Sequence, residues 1–367
     1  MDTAPAKSTK ALNLALQGGG SHGAFTWGVL DALLADPRLV IEGLSGTSAG
    51  AINAVALASG HARGPDPRAG ARACLARVWK DIGRWGRLGW LPARFGHSLW
   101  GGGAGAEWMQ QAQLWTQAFT GLLSPYQTNP LNFNPLRHLL ERCVDFDALQ
   151  HCDGPRVFVS ATHVSTGKAV IFSGDGLTME AVLASTCLPT LFQAVEIDGQ
   201  AYWDGGYSVN PALSPLIRSC AHHDLLVVQI NPLRRMNRAD TAHEILDRIN
   251  ELTFNASLLS QMRAIDKINR LLADGSLAPG SSKPVRLHRI DGGEALLAYA
   301  ASTKLRSDPE LIDELFHLGQ AAARRWLEVN FEAIGVRSTV DVAKDYEDDA
   351  RIGVEPVCLP PQATRPG

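Results

Sequence analysis

The sequence is poor in the residues that cross-link small folds or bind structural metals. Its 367 residues include six cysteines, which lie far apart and form no CxxC pair. Disulfide frameworks and zinc knuckles both depend on closely spaced cysteines, so the sequence predicts neither. We therefore expect scattered, reduced thiols and no metal site.

The chain also lacks a long apolar run and an excess of charge of one sign. The first apolar stretch, Ala11 to Leu16, is too short for a signal-peptide core. No later segment offers ~20 uninterrupted apolar residues, the length that crosses a bilayer. A net charge of −3 argues against a protein that wraps nucleic acid. These absences predict a cytoplasmic protein that contacts a membrane only peripherally, on its inner surface.

The remaining composition is that of a folded protein, with 45% hydrophobic and 19% charged residues. Short β-type runs alternate with helical patterns, which predicts an α/β fold with a largely parallel sheet. Asp198-Gly199 predicts a tight hairpin turn because both residues tolerate positive φ. Apolar residues recur at helical spacing from Ala242 to Leu272, which predicts a helix packed on the core. The predicted strands are Leu12–Gln17, Val40–Ser45, Arg156–Ala161, Lys168–Phe172, Leu225–Ile230 and Val285–Ile290.

Residues 64–126 differ in composition from the rest of the chain. Six of the nine tryptophans occur there, mixed with glycines and basic residues: Trp79, Trp85, Trp90, Trp100, Trp108 and Trp115. We interpret this segment as a cap or insertion within a catalytic domain of residues 1–335, followed by a peripheral C-terminal tail of residues 336–367. Tryptophan rings and basic side chains suit a lipid surface, which predicts membrane contact through Trp85, Trp90 and Trp100.

A possible nucleophile stands between a predicted strand and a predicted helix. The string Gly46-Thr47-Ser48-Ala49-Gly50 follows the strand Val40–Ser45 and precedes an alanine-rich helical run. Small residues around Ser48 permit the sharp turn of a nucleophile elbow, which exposes the hydroxyl beside a helix N-terminus. A glycine-rich turn kept only for packing is the structural alternative.

A second glycine-rich loop, Gly18-Gly19-Gly20-Ser21-His22-Gly23, follows the first strand. Its unshielded backbone N–H groups, from Gly18 to Ser21, suit an oxyanion hole for acyl transfer. The same string also matches the GxGxxG fingerprint of dinucleotide binding, with Glu42 as the ribose partner. The acyl-transfer interpretation uses both loops, whereas the nucleotide interpretation leaves Ser48 without a role.

The base that would activate Ser48 has two kinds of candidate. A histidine of a catalytic triad is the usual one, and His222, His223 or His288 could supply it. Asp204-Gly205-Gly206 is the other, because it directly follows the predicted hairpin and its glycines allow another loop to approach closely. An ordinary turn aspartate is the structural alternative for Asp204.

In combination, these elements resemble the patatin-like phospholipases. The resemblance rests on the glycine-rich loop, on Gly46 to Ala54, and on the approach from Ala184-Ser185 to Asp204-Gly205-Gly206, and it covers roughly residues 11–211. It implies a three-layer α/β/α fold and a Ser48–Asp204 dyad that works through an acyl-enzyme. One position departs from the pattern, since His22 stands where the family usually carries Arg or Lys.

The sequence therefore predicts a serine esterase, of phospholipase A or lysophospholipase type, that hydrolyses lipid acyl esters without metal or organic cofactor. Two other classes stay open at this point. One is a Rossmann-type nucleotide-binding protein, and the other is a catalytically silent peripheral membrane protein of the same fold.

Overall fold

A mixed, mostly parallel β-sheet with helices on both faces forms the body of the protein. The computed structural model describes residues 9–87, 124–151, 153–235, 239–278, 280, 282–299 and 301–346. The strands are β1 Lys10–Leu16, β2 Leu39–Thr47, β3 Arg156–His163, β4 Ala169–Phe172, β5 Val195–Ile197, β6 Gln200–Asp204, β7 Asp224–Gln229 and β8 Arg286–Asp291. The helices are α1 Gly23–Ala35, α2 Ala49–His61, α3 Pro67–Arg87, α4 Pro125–Thr128, α5 Pro135–Cys143, α6 Phe146–His151, α7 Met179–Ser185, α8 Ser214–Ser219, α9 Ala242–Ala273, α10 Gly293–Leu297, α11 Pro309–Asn330 and α12 Val342–Asp345.

The six strands and the hairpin predicted from the sequence are confirmed within a few residues. Five strands run parallel in the order β3-β2-β1-β7-β8, and β4, β5 and β6 join antiparallel around β3. The hairpin turn has φ of 50° at Asp198 and 72° at Gly199, as its Asp-Gly sequence predicts.

Strands β2 and β6 share one edge of β3, and this arrangement determines where the site lies. Ser160 pairs with Thr47 of β2 on this edge and with Ile171 of β4 on the opposite edge. The next residue, Ala161, pairs with β4 on that same opposite edge, so its second partner, Asp204 of β6, must lie on the β2 side. Asp204 therefore occupies the position that β2 vacates when the chain turns away at Ser48.

Alternate residues of the central strands face two separate cores, which confirms the three-layer arrangement. In β7, Leu226 and Val228 pack under α1, α2, α3 and α11, whereas Leu225 and Val227 pack under α8 and α9. All four side chains are buried. A strand buried on both faces reads as a continuous apolar run, as Leu225–Val228 does in the sequence.

Helix α9 confirms the helical spacing of its apolar residues but only part of their predicted burial. Met262 and Ile265 pack into the core beneath β7. In the N-terminal half, Ile245, Ile249 and Leu252 are between 44% and 51% exposed.

Among the described residues, no helix combines the length and apolarity needed to cross a membrane.

The Trp-rich cap is not confirmed. The first part of the segment forms α3, which packs against α1, α2 and α11. Trp79 of this helix is buried, and its indole N–H donates to Asn53 Oδ1 at 2.8 Å. Trp85 is half-buried against the same core. The remaining four tryptophans of the segment, Trp90, Trp100, Trp108 and Trp115, lie outside the described residues.

The start of the predicted C-terminal tail requires a correction, because Val342 and Tyr346 within residues 336–346 are buried in the core. The Thr339 N–H donates to the Leu287 carbonyl of β8. Tyr346 is 1% exposed, and its hydroxyl donates to Gln229 Oε1 at 2.9 Å. The segment lacks periodicity because single side chains anchor it, so its sequence resembles that of a surface tail. Residues 347–367 lie outside the described part of the chain.

We predict that Tyr346→Ala lowers the free energy of unfolding by about 3–5 kcal/mol, because it empties a buried aromatic site. Tyr346→Phe should cost less, about 1–3 kcal/mol, because it removes the hydrogen bonds of the hydroxyl with Gln229 and Arg289 and leaves the buried Gln229 oxygen without this donor. Val336 is 73% exposed, so Val336→Ala serves as a control within about 0.5 kcal/mol of wild type. Urea unfolding measures all three. Equal effects of Tyr346→Ala and Val336→Ala would mean that the segment is peripheral after all.

Candidate active site

Ser48 lies at the turn between β2 and α2 in a conformation that few non-glycine residues adopt. Its φ is 54° and its ψ is −122°, and it occupies the N-cap position of α2. Gly46 and Gly50 permit this turn, because a Cβ atom on Gly46 would overlap the Gly50 carbonyl. Strain of this kind persists where the surrounding structure holds it and clusters at functional sites. The local sequence thus produces the elbow predicted for it.

Hydrogen bonds to β3, to the loop after β6 and to the end of α7 hold this turn in place. The Ser48 N–H donates to Ser185 Oγ at 2.9 Å, at the end of α7. The Thr47 hydroxyl bonds to Ser160 Oγ of β3 and donates to the Val209 carbonyl at 3.1 Å. Because these side-chain partners are all buried, the position of Ser48 is set by the interior rather than by a surface loop.

Asp204 is a fully buried carboxyl group beside Ser48. Its Oδ1 accepts the Gly206 N–H at 2.7 Å, and Oδ2 has no hydrogen-bond partner among the described residues. Burial raises the pKa of Asp204 to about 7, against the opposing effects of the Ser48 hydroxyl and the Gly206 N–H. The hydroxyl is thus close enough to act on the carboxyl group, although the two do not meet the strict geometry of a hydrogen bond. Such contacts often tighten only when substrate binds.

The two glycines after Asp204 are required by close packing. A Cβ atom on Gly205 would overlap the Ser160 carbonyl of β3, and one on Gly206 would enter the ring of Phe254 on α9. The loop after β6 can therefore press against the sheet and present the Gly206 N–H to the carboxylate. This explains the Asp-Gly-Gly string in steric terms.

The glycine-rich loop lies directly against the elbow, and here one predicted donor requires correction. A Cβ atom on Gly18 would lie 2.8 Å from Ser48 Cβ. However, the Gly18 N–H donates to Asn210 Oδ1 at 2.6 Å, so it is not available to an oxyanion. The N–H groups of Gly19, Gly20 and Ser21 make no hydrogen bond within the described residues.

His22 is buried in this loop and is neutral. Burial, and then the charges of Lys304 and Arg235, lower the pKa of His22 to about 3. Its Nε2 bonds to the Thr303 hydroxyl at 2.7 Å, and its Nδ1 has no partner among the described residues. A neutral imidazole brings no positive charge to the loop, so His22 does not take the place of an Arg or Lys electrostatically.

The histidines considered as triad members lie elsewhere. His222 and His223 precede β7 and therefore stand at the amino-terminal edge of the parallel sheet, whereas Ser48 follows the carboxyl end of β2. His222 is exposed and bonds to Glu42 at 2.7 Å. His288 is buried between Asp224 and Thr339, with both ring nitrogens engaged at 3.0 Å.

Glu42 is also far from the place that a dinucleotide would need it. It lies in the first half of β2, about 20 Å along the strand from the end that carries Ser48. Its carboxylate accepts the backbone N–H groups of Ala221 and His222. A ribose partner would stand at the carboxyl end of that strand, beside the glycine-rich loop.

Three buried amides that organise the site were missed in the sequence. Asn210 and Asn231 both bond to the backbone of Gly18. Gln17 Oε1 accepts the N–H groups of Ile230 and Asn231 and thereby joins β1 to β7. Both asparagines precede a proline, which is the one local signal available, but an Asn-Pro pair reads as an ordinary turn.

Comparison with known proteins identifies the family of this chain. The family model of the patatin-like phospholipases matches residues 14–217, more than half of the chain. The crystal structure of VipD from Legionella pneumophila is similar at 15% identity and a TM-score of 0.37, over 88% of this chain and 67% of that one. No curated protein matches the sequence. No group of His, Cys, Asp or Glu in the described ranges could hold a metal ion. On the family match, the chain belongs to the patatin-like phospholipases, a family of lipid acyl hydrolases.

Proposed function

We propose that this protein hydrolyses lipid acyl esters, in the manner of a phospholipase A or a lysophospholipase, with Ser48 as nucleophile and Asp204 as base. One observation carries the proposal. A fully buried carboxyl group with an unpartnered oxygen stands where β2 leaves the sheet, and its pKa responds to the Ser48 hydroxyl. Charged groups are almost never buried without a partner unless their function requires it.

The first half of the reaction transfers the acyl group to the protein. Ser48 Oγ attacks the ester carbonyl carbon while its proton passes to Asp204 Oδ2, and the carbonyl electron pair moves onto oxygen. When the tetrahedral intermediate collapses, the bond to the alcohol breaks and the proton moves from Asp204 to that leaving oxygen. The product is an acyl-enzyme on Ser48.

The second half returns the protein to its starting state. A water molecule gives its proton to Asp204 and attacks the acyl carbon, and the bond to Ser48 Oγ then breaks. The proton returns from Asp204 to Ser48 as the fatty acid leaves. The mechanism is ping-pong and consumes only water.

The intermediate's negative oxygen needs donors that are already in place. The unoccupied N–H groups of Gly19, Gly20 and Ser21 are suited to this role because the loop that carries them lies against Ser48. The N-terminus of α2 adds free N–H groups and a favourable dipole at the same point. Since a carboxylate is a modest base for a hydroxyl, these donors must supply much of the stabilisation.

Three predictions from the sequence stay predictions. They are the cytoplasmic location, membrane contact through Trp85, Trp90 and Trp100, and an activity of phospholipase A or lysophospholipase type. Trp85 is half-buried against the core, which leaves only part of its ring exposed for contact with a membrane. The exposed apolar residues of α9 do not by themselves identify a lipid surface.

We predict that Ser48→Ala and Asp204→Asn each reduce hydrolysis of a p-nitrophenyl ester by at least ~10³-fold with little change in folding, because one loses the nucleophile and the other the base. His222→Gln is the control, since this exposed histidine lies at the far edge of the sheet, and it should retain wild-type activity. Steady-state kinetics and circular dichroism decide the outcome. A folded Asp204→Asn protein with more than a tenth of wild-type activity would exclude Asp204 as the base.

We further predict a pH dependence set by Asp204. Only the ionised carboxylate accepts a proton, and burial raises its pKa to about 7. For a soluble short-chain ester, kcat/KM should therefore rise with pH, with an apparent pKa near 7, and level off above it. The residual activity of Asp204→Asn should lack this step. A wild-type profile that is flat from pH 5 to pH 8 would show that no group with such a pKa takes part.

A further inference from the structure

The Gly18–Gly19 peptide is held from the side opposite to the proposed oxyanion. The Gly18 carbonyl accepts Asn231 Nδ2 at 2.8 Å and Asn210 Nδ2 at 3.3 Å. Because a trans peptide is planar, its C=O and N–H point in opposite directions. Fixing the Gly18 carbonyl therefore fixes the direction of the Gly19 N–H, which is one of the proposed oxyanion donors.

The orientation of the Asn231 amide is itself determined by Lys304. The Lys304 ammonium donates to Asn231 Oδ1 at 2.6 Å, and an ammonium group has no acceptor atom, so it can bond only to the oxygen of the amide. With Oδ1 turned to Lys304, Nδ2 must turn to the Gly18 carbonyl. A charged donor also polarises the amide and strengthens the next hydrogen bond in the chain.

Residues 301–305, which carry Lys304, contact the glycine-rich loop through the Thr303 hydroxyl, which bonds to His22, and Arg235 holds the nearby residues 297–299. Arg235 donates to the Leu297 carbonyl at 2.7 Å and to the Tyr299 carbonyl at 3.1 Å, while its guanidinium is paired with the buried Glu251. A Cβ atom on Gly20 would overlap the Lys304 carbonyl. The backbone at Lys304 therefore lies against the loop, and the Lys304 side chain extends from a backbone that is held in place.

We propose that Lys304 is a positioning residue of the oxyanion hole, acting through Asn231 and the Gly18–Gly19 peptide. This role of Lys304 rests on the proposed function, and neither glycine-rich motif contains Lys304. Lys304 follows Ser48 by more than 250 residues in the chain, beyond the residues 14–217 that the family model covers. Its contribution is to hold the donor that meets negative charge in the transition state, without contacting substrate.

The test compares Lys304→Met, which keeps length and removes charge, with Lys304→Arg, which keeps a cationic donor. For a soluble ester, Lys304→Met should lower kcat by roughly ten- to one-hundred-fold with KM unchanged, because a misdirected donor is lost only in the transition state. Lys304→Arg should recover most of the activity. Lys267→Met removes a charge from the exposed face of α9 and should match wild type.

Two inhibitors separate positioning from general structural damage. A trifluoromethyl ketone accepts Ser48 Oγ at its carbonyl carbon and forms an oxyanion, whereas the corresponding secondary alcohol binds without forming one. In Lys304→Met, the inhibition constant of the ketone should rise by the factor lost from kcat/KM, and that of the alcohol should not change. The double variant Lys304→Met/Asn231→Ala should be no worse than the more damaged single variant.

Each outcome decides a different claim. Unchanged kcat and ketone inhibition in Lys304→Met, or equal weakening of ketone and alcohol, would overturn the role of Lys304 while Ser48→Ala still tests the proposed function. If Lys304→Met does not fold, Asn231→Asp takes its place, since a carboxylate keeps Lys304 but cannot donate to Gly18, and it must show the same split between inhibitors. A wild-type protein that neither cleaves esters nor binds the ketone would overturn the proposed function itself.

Discussion

The burial of one carboxyl group is the constraint on which the rest of the site depends. Asp204 is 0% exposed, and removing a carboxylate from water is costly unless partners replace the lost hydration. Within the described part of the chain, only one of its oxygens has a backbone donor, and burial raises the pKa of Asp204 to about 7. The folded protein therefore binds this proton more tightly than the unfolded chain does. Its stability falls as pH rises from the ordinary range of an aspartate near 4 towards 7. In the proposed mechanism, the same cost makes the carboxylate a stronger base.

The fold brings the two loops together by packing strands and helices unusually closely. β2 and β6 meet end to end along β3, and glycines remove the side chains that would keep Ser48, Asp204 and the glycine-rich loop apart. Beyond the end of β1, where no neighbouring strand supplies backbone partners, buried side-chain amides bond to the Gly18 backbone instead. Asn210 and Asn231 hold the Gly18 peptide from below, so that its neighbour's N–H is free on the other side. Donors arranged in this way need no reorganisation when charge develops.

The sequence predicted the strands, the hairpin and the turn at Ser48 better than the contacts between distant parts of the chain. Strand and turn signals are local, so β1 to β4, the hairpin at Asp198 and the elbow at Ser48 could be read from a few residues each. Lys304, Asn231 and the Tyr346 anchor depend on contacts between distant parts of the chain, which no local pattern encodes. Gly18 shows the same limit, because a glycine-rich loop indicates free N–H groups but not which of them a buried asparagine will occupy.

The central claim is that Ser48 carries the acyl group, and it can be tested during turnover. The protein would be mixed with a p-nitrophenyl ester, quenched with acid within the first turnovers, digested and analysed by mass spectrometry. The account predicts that the peptide containing Ser48 gains the mass of the acyl group, in proportion to an initial burst of p-nitrophenol, and that Asp204→Asn forms the adduct far more slowly. A burst with the acyl group on another residue, or turnover with no adduct at any quench time under conditions where deacylation limits the rate, would contradict it.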